Sequence, residues 1–461
     1  MKQSKLLGIN MTGFDMSRYV KQLRGIVKWK KNRGRGLLNF NVGSGKTLCG
    51  VIAHKKMQQK DKNRSTIVVV PTQPLLEQWK KEIEVFNLKN IEVYIINTAL
   101  TSNLSCNLLV LDECHLYCSS ERIKILNLKH NWCLGLTGTP YRKDGLEYKL
   151  LSYIPIVDTI MYDDSVKLGY VEDVKIYNLA VPLSKEDKFK LRNHNIKFVE
   201  SLKFFNDFKE MMSCLNKHNA LQYSTKYSTQ GNYIDPKIVQ ISAVNGNRHM
   251  QQRKKLLNVS QAKLDEVINI LKVFDERCLT FGLDTSFSDK ITEAFPKEAI
   301  SYHTNVEPII IKVRKEKFYK TEKAAINFKE KTAYSKIKKT EDGWLVYWNI
   351  NKKLPEKDSL EYILNKFKNP VANLRVINTA LKLKQGVSIN ELALVIITSR
   401  HGSWNDFEQI LGRACRLYEG KRPILINLYH PSTQDEKWLR EATKNFKNNT
   451  KWITNINEID R

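Results

Sequence analysis

Through the first 165 residues, short and nearly unbroken apolar runs alternate with stretches whose apolar residues recur every three or four positions. The runs "GLLNF" (36–40), "TIVVVP" (66–71), "IEVYIIN" (91–97), "NLLVLDE" (107–113) and "WCLGLTG" (132–138) read as buried strands. Helix-period segments, 48–57 and 74–86, separate the first three. Strands that are apolar throughout, rather than at every second position, belong to a parallel sheet covered on both faces. The rhythm restarts with "RCLTFGL" (277–283), "AISYHT" (299–304), "LRVINTA" (374–380), "LALVIITS" (392–399) and "PILINLY" (423–429). An amphipathic helix over 260–276 precedes this second set. The pattern therefore predicts an α/β chain with two parallel-sheet domains in tandem, 1–165 and 166–461. The polar, helical stretch from 165 to 260, with "DVKIYNLAVPL" (173–183) near its start, reads as the crossover between them.

One segment breaks the rhythm. From 306 to 359 the chain is Lys-rich, then turns at "EDG" (341–343) into "WLVYWNI". Asp-Gly ahead of alternating apolar residues signals a hairpin, with Trp344, Val346, Trp348 and Ile350 on one strand face. The segment is expected to be an insertion in the second domain.

Charge narrows the choice of partners. The chain carries 76 Lys+Arg against 48 Asp+Glu, a formal net charge of +28. The excess is clustered: residues 1–50 hold eleven basic residues and one acid, and 312–339 hold eleven and three. Such a field attracts polyanions, nucleic acid first among them. Lys336, Lys338 and Lys339 are the candidate contacts in the insertion. Eight cysteines show no C-x-x-C pair, and no second ligand pair follows Cys114, His115 and Cys118 at zinc spacing. No signal peptide or membrane-length apolar run is apparent, so a cytoplasmic, soluble protein is expected.

The chemistry starts at "NFNVGSGKTL" (39–48), which follows one expected strand and opens a helix. Gly43, Ser44 and Gly45 would let backbone N–H groups curl around a phosphate, aided by the helix N-terminus. Lys46 would reach the β- and γ-phosphates and Thr47 would bind Mg²⁺. Phe40 occupies the position where this loop pattern usually begins with Gly. In "LLVLDECH" (108–115) a strand ends in two carboxylates. Asp112 would hold Mg²⁺ and Glu113 would orient and deprotonate a water. In "QILGRACR" (409–416), Gln409, Gly412, Arg413 and Arg416 share one helix face, suited to clamping a γ-phosphate.

Taken in order, Lys46-Thr47, Asp112-Glu113-Cys114-His115, Thr137-Gly138-Thr139-Pro140 and Gln409-x-x-Gly412-Arg413-x-x-Arg416 resemble superfamily-two DExH-type DNA helicases and translocases. "LGLTGTPYRKDG" (134–145) and "LKLKQGVSINELALVI" (381–396) are similar to the XPB, UvsW, RecG and restriction-translocase branches, and the size and Lys/Asn-rich composition suit a phage branch-migration helicase. The resemblance implies two RecA-like domains with an ATP cleft between them. It implies that Gln22 reads adenine, supported by Tyr19. Pro71, Thr72, Gln73 and Thr98 would grip the nucleic-acid backbone, and Thr379 and Gly386 would touch both backbone and nucleotide. Thr137 and Thr139 would couple hydrolysis to domain movement, with His115 in the same network. Arg413 and Arg416 would be arginine fingers. Two departures stand out: Gly138 replaces an alanine, and Ser388 stands where many relatives carry aspartate.

The implied cofactors are ATP and Mg²⁺. The implied partner is single-stranded, forked or junction DNA, bound by a monomer, with RNA the alternative. An RNA helicase, a restriction-type motor subunit and a non-motor nucleic-acid-binding ATP switch are the rival functions.

Overall fold

The computed structural model describes residues 16–41, 43–142, 144–228, 234–303, 310–331, 336–354, 372–380, 392–399 and 423–460, together with 359, 362–363, 365–367, 369, 407 and 410–411. The first unit runs α1 (Met16–Lys31), β1 (Arg35–Phe40), α2 (Lys46–Gln58), β2 (Thr66–Val70), α3 (Gln73–Val85), β3 (Ile91–Ile95), α4 (Ile96–Thr101), β4 (Ser105–Asp112), β5 (Lys129–Thr137), α5 (Glu147–Leu151) and β6 (Ile156–Ile160). Its six strands form one parallel sheet in the order β3-β2-β4-β5-β1-β6. Leu37, Val69, Leu109 and Leu111 bury on one face and Leu38, Val68, Val70, Leu108 and Val110 on the other, which is why these strands are apolar throughout.

The second unit continues with α6 (Tyr162–Lys167), β7 (Lys175–Ala180), α7 (Lys185–Leu202), α8 (Phe208–Ser213), α9 (Lys217–Ser228), α10 (Pro236–Asn258), α11 (Gln261–Val273), β8 (Cys278–Gly282), α12 (Thr285–Ala294) and β9 (Ala299–Tyr302). After the insertion it resumes; its strands β13 (Val376–Ala380), β14 (Leu394–Ile397) and β15 (Ile424–Tyr429) are followed by a helix (Gln434–Thr443) and a last strand (Thr450–Ile453). The insertion itself comprises β10 (Ile310–Tyr319), α13 (Glu322–Lys331), β11 (Lys336–Thr340) and β12 (Gly343–Lys353). We label the later helix α14 and the last strand β16. The second sheet is parallel, in the order β16-β7-β15-β14-β8-β13-β9. The fold is thus α/β with two parallel sheets. The "DVKIYNLAVPL" run is not merely a crossover: β7 lies inside the second sheet, and α7 to α10 gather a small core of their own around Phe205, Met211, Tyr223 and Val239.

The insertion forms a separate antiparallel sheet, β10-β12-β11, with α13 on one face. The expected hairpin at 341–343 is β11–β12. The apolar alternation on β12 has the expected sense: Val346 is buried, and the Trp348 ring lies 5.0 Å from that of Phe328 on α13. All seven described cysteines are buried and free. Among the described residues no helix is long and apolar enough to cross a membrane, and no cluster could hold a metal through His, Cys, Asp and Glu.

Candidate functional site

Three neighbouring strands bring the candidate residues of the first unit together. Because β1, β5 and β4 are adjacent and parallel, their C-terminal ends meet at one sheet edge. The register sets Asn39 beside Thr137 and Asp112 beside Leu136. A loop leaving β1 therefore lies one strand across from the end of β4, over the C-terminal end of β5, the sheet edge where open α/β sheets bind ligands.

The loop needs its glycines. Gly43 and Gly45 have φ of 85° and 79°, a left-handed backbone that side-chain-bearing residues rarely adopt. A Cβ on Gly45 would sit 2.4 Å from Nε2 of Gln22. Gly45 then caps α2, leaving the backbone N–H groups of its first turn directed outward. Ser44 is buried, and its hydroxyl donates to the Asn41 carbonyl at 2.5 Å. Lys46 and Thr47 open the helix, both partly exposed.

Helix α1 braces this loop from behind. Asp158 on β6 accepts from Arg24 Nε at 2.8 Å and from Lys28 Nζ at 2.7 Å, and Trp29 Nε1 donates to the Cys133 carbonyl at 2.9 Å. The helix so fixed presents Gln22, whose Nε2 donates to the Ser44 carbonyl at 2.8 Å. Gln22 is buried, and its Oε1 has no hydrogen-bond partner in the structure. Phe40 is fully buried in the core beneath α1. Its ring tip comes within 2.8 Å of where a Cβ on Gly25 would stand, so the large residue at 40 is matched by a glycine on the helix above it.

The carboxylates sit opposite. Asp112 is buried; its Oδ2 accepts from Trp79 Nε1 at 2.8 Å and its Oδ1 from the Glu113 N–H at 3.0 Å. Burial, with the Glu113 charge adding to it, pushes the Asp112 carboxyl up to about 6, against the lowering effects of the Trp79 bond and the Lys46 charge. Glu113 itself is held at φ 46°, ψ 46°. That left-handed turn at the strand end swings its carboxylate back over the loop, where Oε1 lies 3.7 Å from Lys46 Nζ. Its Oε2 lies 3.5 Å from His115 Nδ1, and the same nitrogen is 2.8 Å from Thr137 Oγ1. Thr137 Oγ1 also accepts from the Thr139 N–H at 3.1 Å, so its own proton is available to His115. Burial lowers the His115 pKa, which suits a neutral ring accepting at Nδ1. Arg142 Nη1 donates to the His115 carbonyl at 2.8 Å, and its Nη2 pairs with Asp144 Oδ2 at 2.6 Å.

Lys46, Asp112, Glu113, His115, Thr137 and Thr139 are thus one contiguous cluster. Trp79 and Arg142 belong to it as well. Nothing in sequence separates Trp79 from any apolar position of an amphipathic helix, whereas Arg142 lies inside the "TGTPYRKDG" stretch. The remaining candidates are elsewhere. Pro71 and Thr72 are half-buried after β2, with Thr72 Oγ1 buried and unpartnered; Gln73 is exposed and donates to Glu77 at 2.8 Å. Thr98 is exposed on α4. Thr379 is buried on β13, its Oγ1 without a partner. Lys336, Lys338 and Lys339 are exposed on β11. Gly386, Gln409, Arg413 and Arg416 lie outside the described residues, as does the side chain of Tyr19.

Residues 16–104 match the family described as "Type III restriction enzyme, res subunit". The DNA 3'-5' translocase XPB2 of Sulfurisphaera tokodaii is 24% identical over 449 residues, covering 91% of this chain and 83% of that protein. Two solved structures share the fold. The Hef helicase domain of Pyrococcus furiosus superposes with a TM-score of 0.52 at 14% identity, covering 92% of this chain and 98% of its own. A fragment of an HsdR subunit of a type I restriction enzyme from Vibrio vulnificus gives 0.51 at 14%, covering 95% and 68%.

Proposed function

We propose that this chain, a relative of superfamily-two helicases and translocases, is a nucleic-acid-stimulated ATPase that moves on DNA. Its ATP site would lie between domains 1–165 and 166–461. The observation that carries the reading is the cluster at the end of β1, β4 and β5. A loop with two left-handed glycines and a lysine faces two carboxylates, and one carboxylate lies 3.5 Å from a histidine that is hydrogen-bonded to the next strand end.

The residues fit a nucleotide and its metal. The Gly43–Lys46 backbone and the first turn of α2 supply N–H donors for phosphate. Lys46, now 3.7 Å from Glu113, is placed to turn to a γ-phosphate. Mg²⁺, which when bound neutralises phosphate charge, would be held by Thr47 and Asp112. Trp79 fixes the Asp112 carboxylate in one orientation. Glu113 would orient the attacking water and take its proton. Gln22 offers a buried acceptor oxygen, to which the adenine amine would donate. Gln409, Arg413, Arg416 and Gly386 would act from the second domain, and Thr379 from β13.

The His115–Thr137–Thr139 chain supports a coupling role. A shift of Glu113 changes its 3.5 Å contact with His115, and the 2.8 Å bond to Thr137 passes the shift to the segment leaving β5. Pro71, Thr72, Gln73 and Thr98 on the first domain, and Thr379 with the lysines of β11 on the second, would hold the nucleic-acid backbone. Backbone grip implies little sequence preference and strong salt dependence. The proposed substrate is forked or junction DNA, worked on by a monomer in the cytoplasm, by unwinding or branch migration.

The test is ATP hydrolysis with and without DNA. Lys46→Ala and Glu113→Gln should each abolish DNA-stimulated hydrolysis and leave DNA affinity within about threefold, since neither residue faces the proposed DNA surface. A wild type whose hydrolysis ignores both DNA and RNA would refute the motor.

A further inference from the structure

The insertion has two unlike faces. One side of its sheet is closed by α13, where Val346, Ala325 and Phe328 pack and Trp348 meets Phe328. The register fixes what the other side carries. Phe318 pairs with Leu345 and Lys338 with Leu345, so these three form one row across the sheet. Glu316, Tyr347 and Lys336 form the next, and Arg314 lies one step further along β10. Residues two apart on a strand share a face, so Phe318, Leu345, Tyr347, Arg314, Lys336 and Lys338 all lie opposite α13.

This open face is built unlike a solvated surface. Phe318 is 46% exposed, its ring bent over Gly343, where an added Cβ would come within 2.6 Å of it. The Arg314 guanidinium stacks 4.0 Å from the Tyr347 ring centroid while its side chain stays 55% exposed. Lys336 and Lys338 flank the central strand on the outer edge, both exposed. The one acid among these rows, Glu316, is offset by Arg314, 4.0 Å away. The face thus carries the aromatic rings of Phe318 on β10 and Tyr347 on β12, the Arg314 guanidinium stacked on the latter, and the two lysines along the β11 edge.

We infer that this face of the insertion takes a single strand: bases stack on Phe318 and on the Arg314–Tyr347 pair, and Lys336 and Lys338 meet the phosphates. A single strand is the polyanion that also has exposed π-faces; a paired duplex hides them. The inference rests on the nucleic-acid reading above and assigns one face of the insertion to it.

The test is fluorescence-anisotropy titration of the full chain, without ATP, against a labelled single-stranded oligodeoxynucleotide and the matching blunt duplex. Lys336→Glu/Lys338→Glu should weaken single-strand binding at least tenfold and flatten the salt slope by about 1.4, two phosphate contacts at about 0.7 each. Lys323→Glu/Lys329→Glu makes the same charge change on α13, behind the sheet, and should cost less than twofold. Phe318→Ala, at a position 46% exposed, should lower single-strand affinity about tenfold and duplex affinity less than twofold. Equal losses in the two lysine pairs, or no loss in the first, overturn the face assignment; equal loss of single strand and duplex in Phe318→Ala overturns the stacking. Failure of the wild type to bind any nucleic acid would instead refute the proposed function.

Discussion

Lys263 is the perturbation that most sharply tests how the second domain is held. Its side chain is fully buried on α11 and donates to three groups: the Leu257 carbonyl at 2.9 Å, the Thr398 carbonyl at 2.9 Å and Asp435 Oδ2 at 2.6 Å. One ammonium thus ties the end of α10, the end of β14 and the start of α14. Asp435 is equally buried; its Oδ2 also accepts from the His430 N–H at 3.1 Å, and its Oδ1 has no partner. Lys263→Met would leave that carboxylate buried with a single backbone donor. Removing one member of such a pair costs about 3–5 kcal/mol, because the charge left behind is uncompensated. Asp435→Asn should fall at the lower end, since the ammonium keeps two carbonyl acceptors. Lys263→Met/Asp435→Leu removes both charges and should return to within about 1–2 kcal/mol of wild type. A chain with two domains has no single unfolding midpoint, so the assay is native-state hydrogen exchange read by peptide mass. Peptides of α11, β14 and α14 should exchange about a hundredfold to a few thousandfold faster in Lys263→Met, while β1, β4 and β5 serve as the unchanged internal control. A single variant costing less than about 1 kcal/mol, or a double variant as damaged as the single, would refute the reasoning.

Two further outcomes follow from buried side chains. Phe40→Ala should cost about 3–5 kcal/mol in denaturant unfolding of the first domain, yet leave ATP turnover per folded molecule within about threefold; a hundredfold loss of turnover would mean that Phe40 shapes the phosphate loop itself. Burial lowers His54 and His430 from 6.5 to about 4. A base with a depressed folded pKa lets the unfolded chain bind the extra proton first. Stability is therefore complete above pH 6.5 and declines as the pH falls towards 4, by roughly 3 kcal/mol for each histidine. His54→Gln and His430→Gln should each flatten that decline in stability measured from pH 7.5 to 4, and an unchanged slope would show that the ring takes no part.

The first sheet was legible because each of its central strands is buried on both faces, so residue type alone marks it. β6 escaped because "IVDTI" carries Asp158, an acid that belongs there only once Arg24 and Lys28 arrive from α1. β10 was hidden for another reason. Its sequence "IIKVRKEKFY" reads as a charge run, but Lys317 lies 5.4 Å from the Tyr319 ring centroid and 5.5 Å from that of Phe328. A lysine stem there does the covering that an apolar residue would do, and composition cannot reveal it. At the cluster, the adjacency of Lys46, Asp112, Glu113 and Thr137 was legible because each closes an apolar strand or opens the helix that follows one, so a parallel sheet carries them to the same edge. Trp79 and the anchoring of α1 were not, since contacts between distant segments leave no local pattern.

The connection order of the second sheet has a consequence in time. β7 is its first strand to be synthesised, but in the finished sheet β7 lies between β15 and β16. The buried Asn427-to-Asn178 hydrogen bond, which joins β7 to β15, spans 249 residues. At about 5–20 residues per second, β7 waits on the order of ten to fifty seconds for a neighbour, with Ile176, Tyr177 and Leu179 uncovered. The helices α7 to α10 can pack in that interval, since their contacts are local, and β8, β9, β13 and β14 can pair with one another before β15 is made, whereas β7 joins only once β15 has arrived.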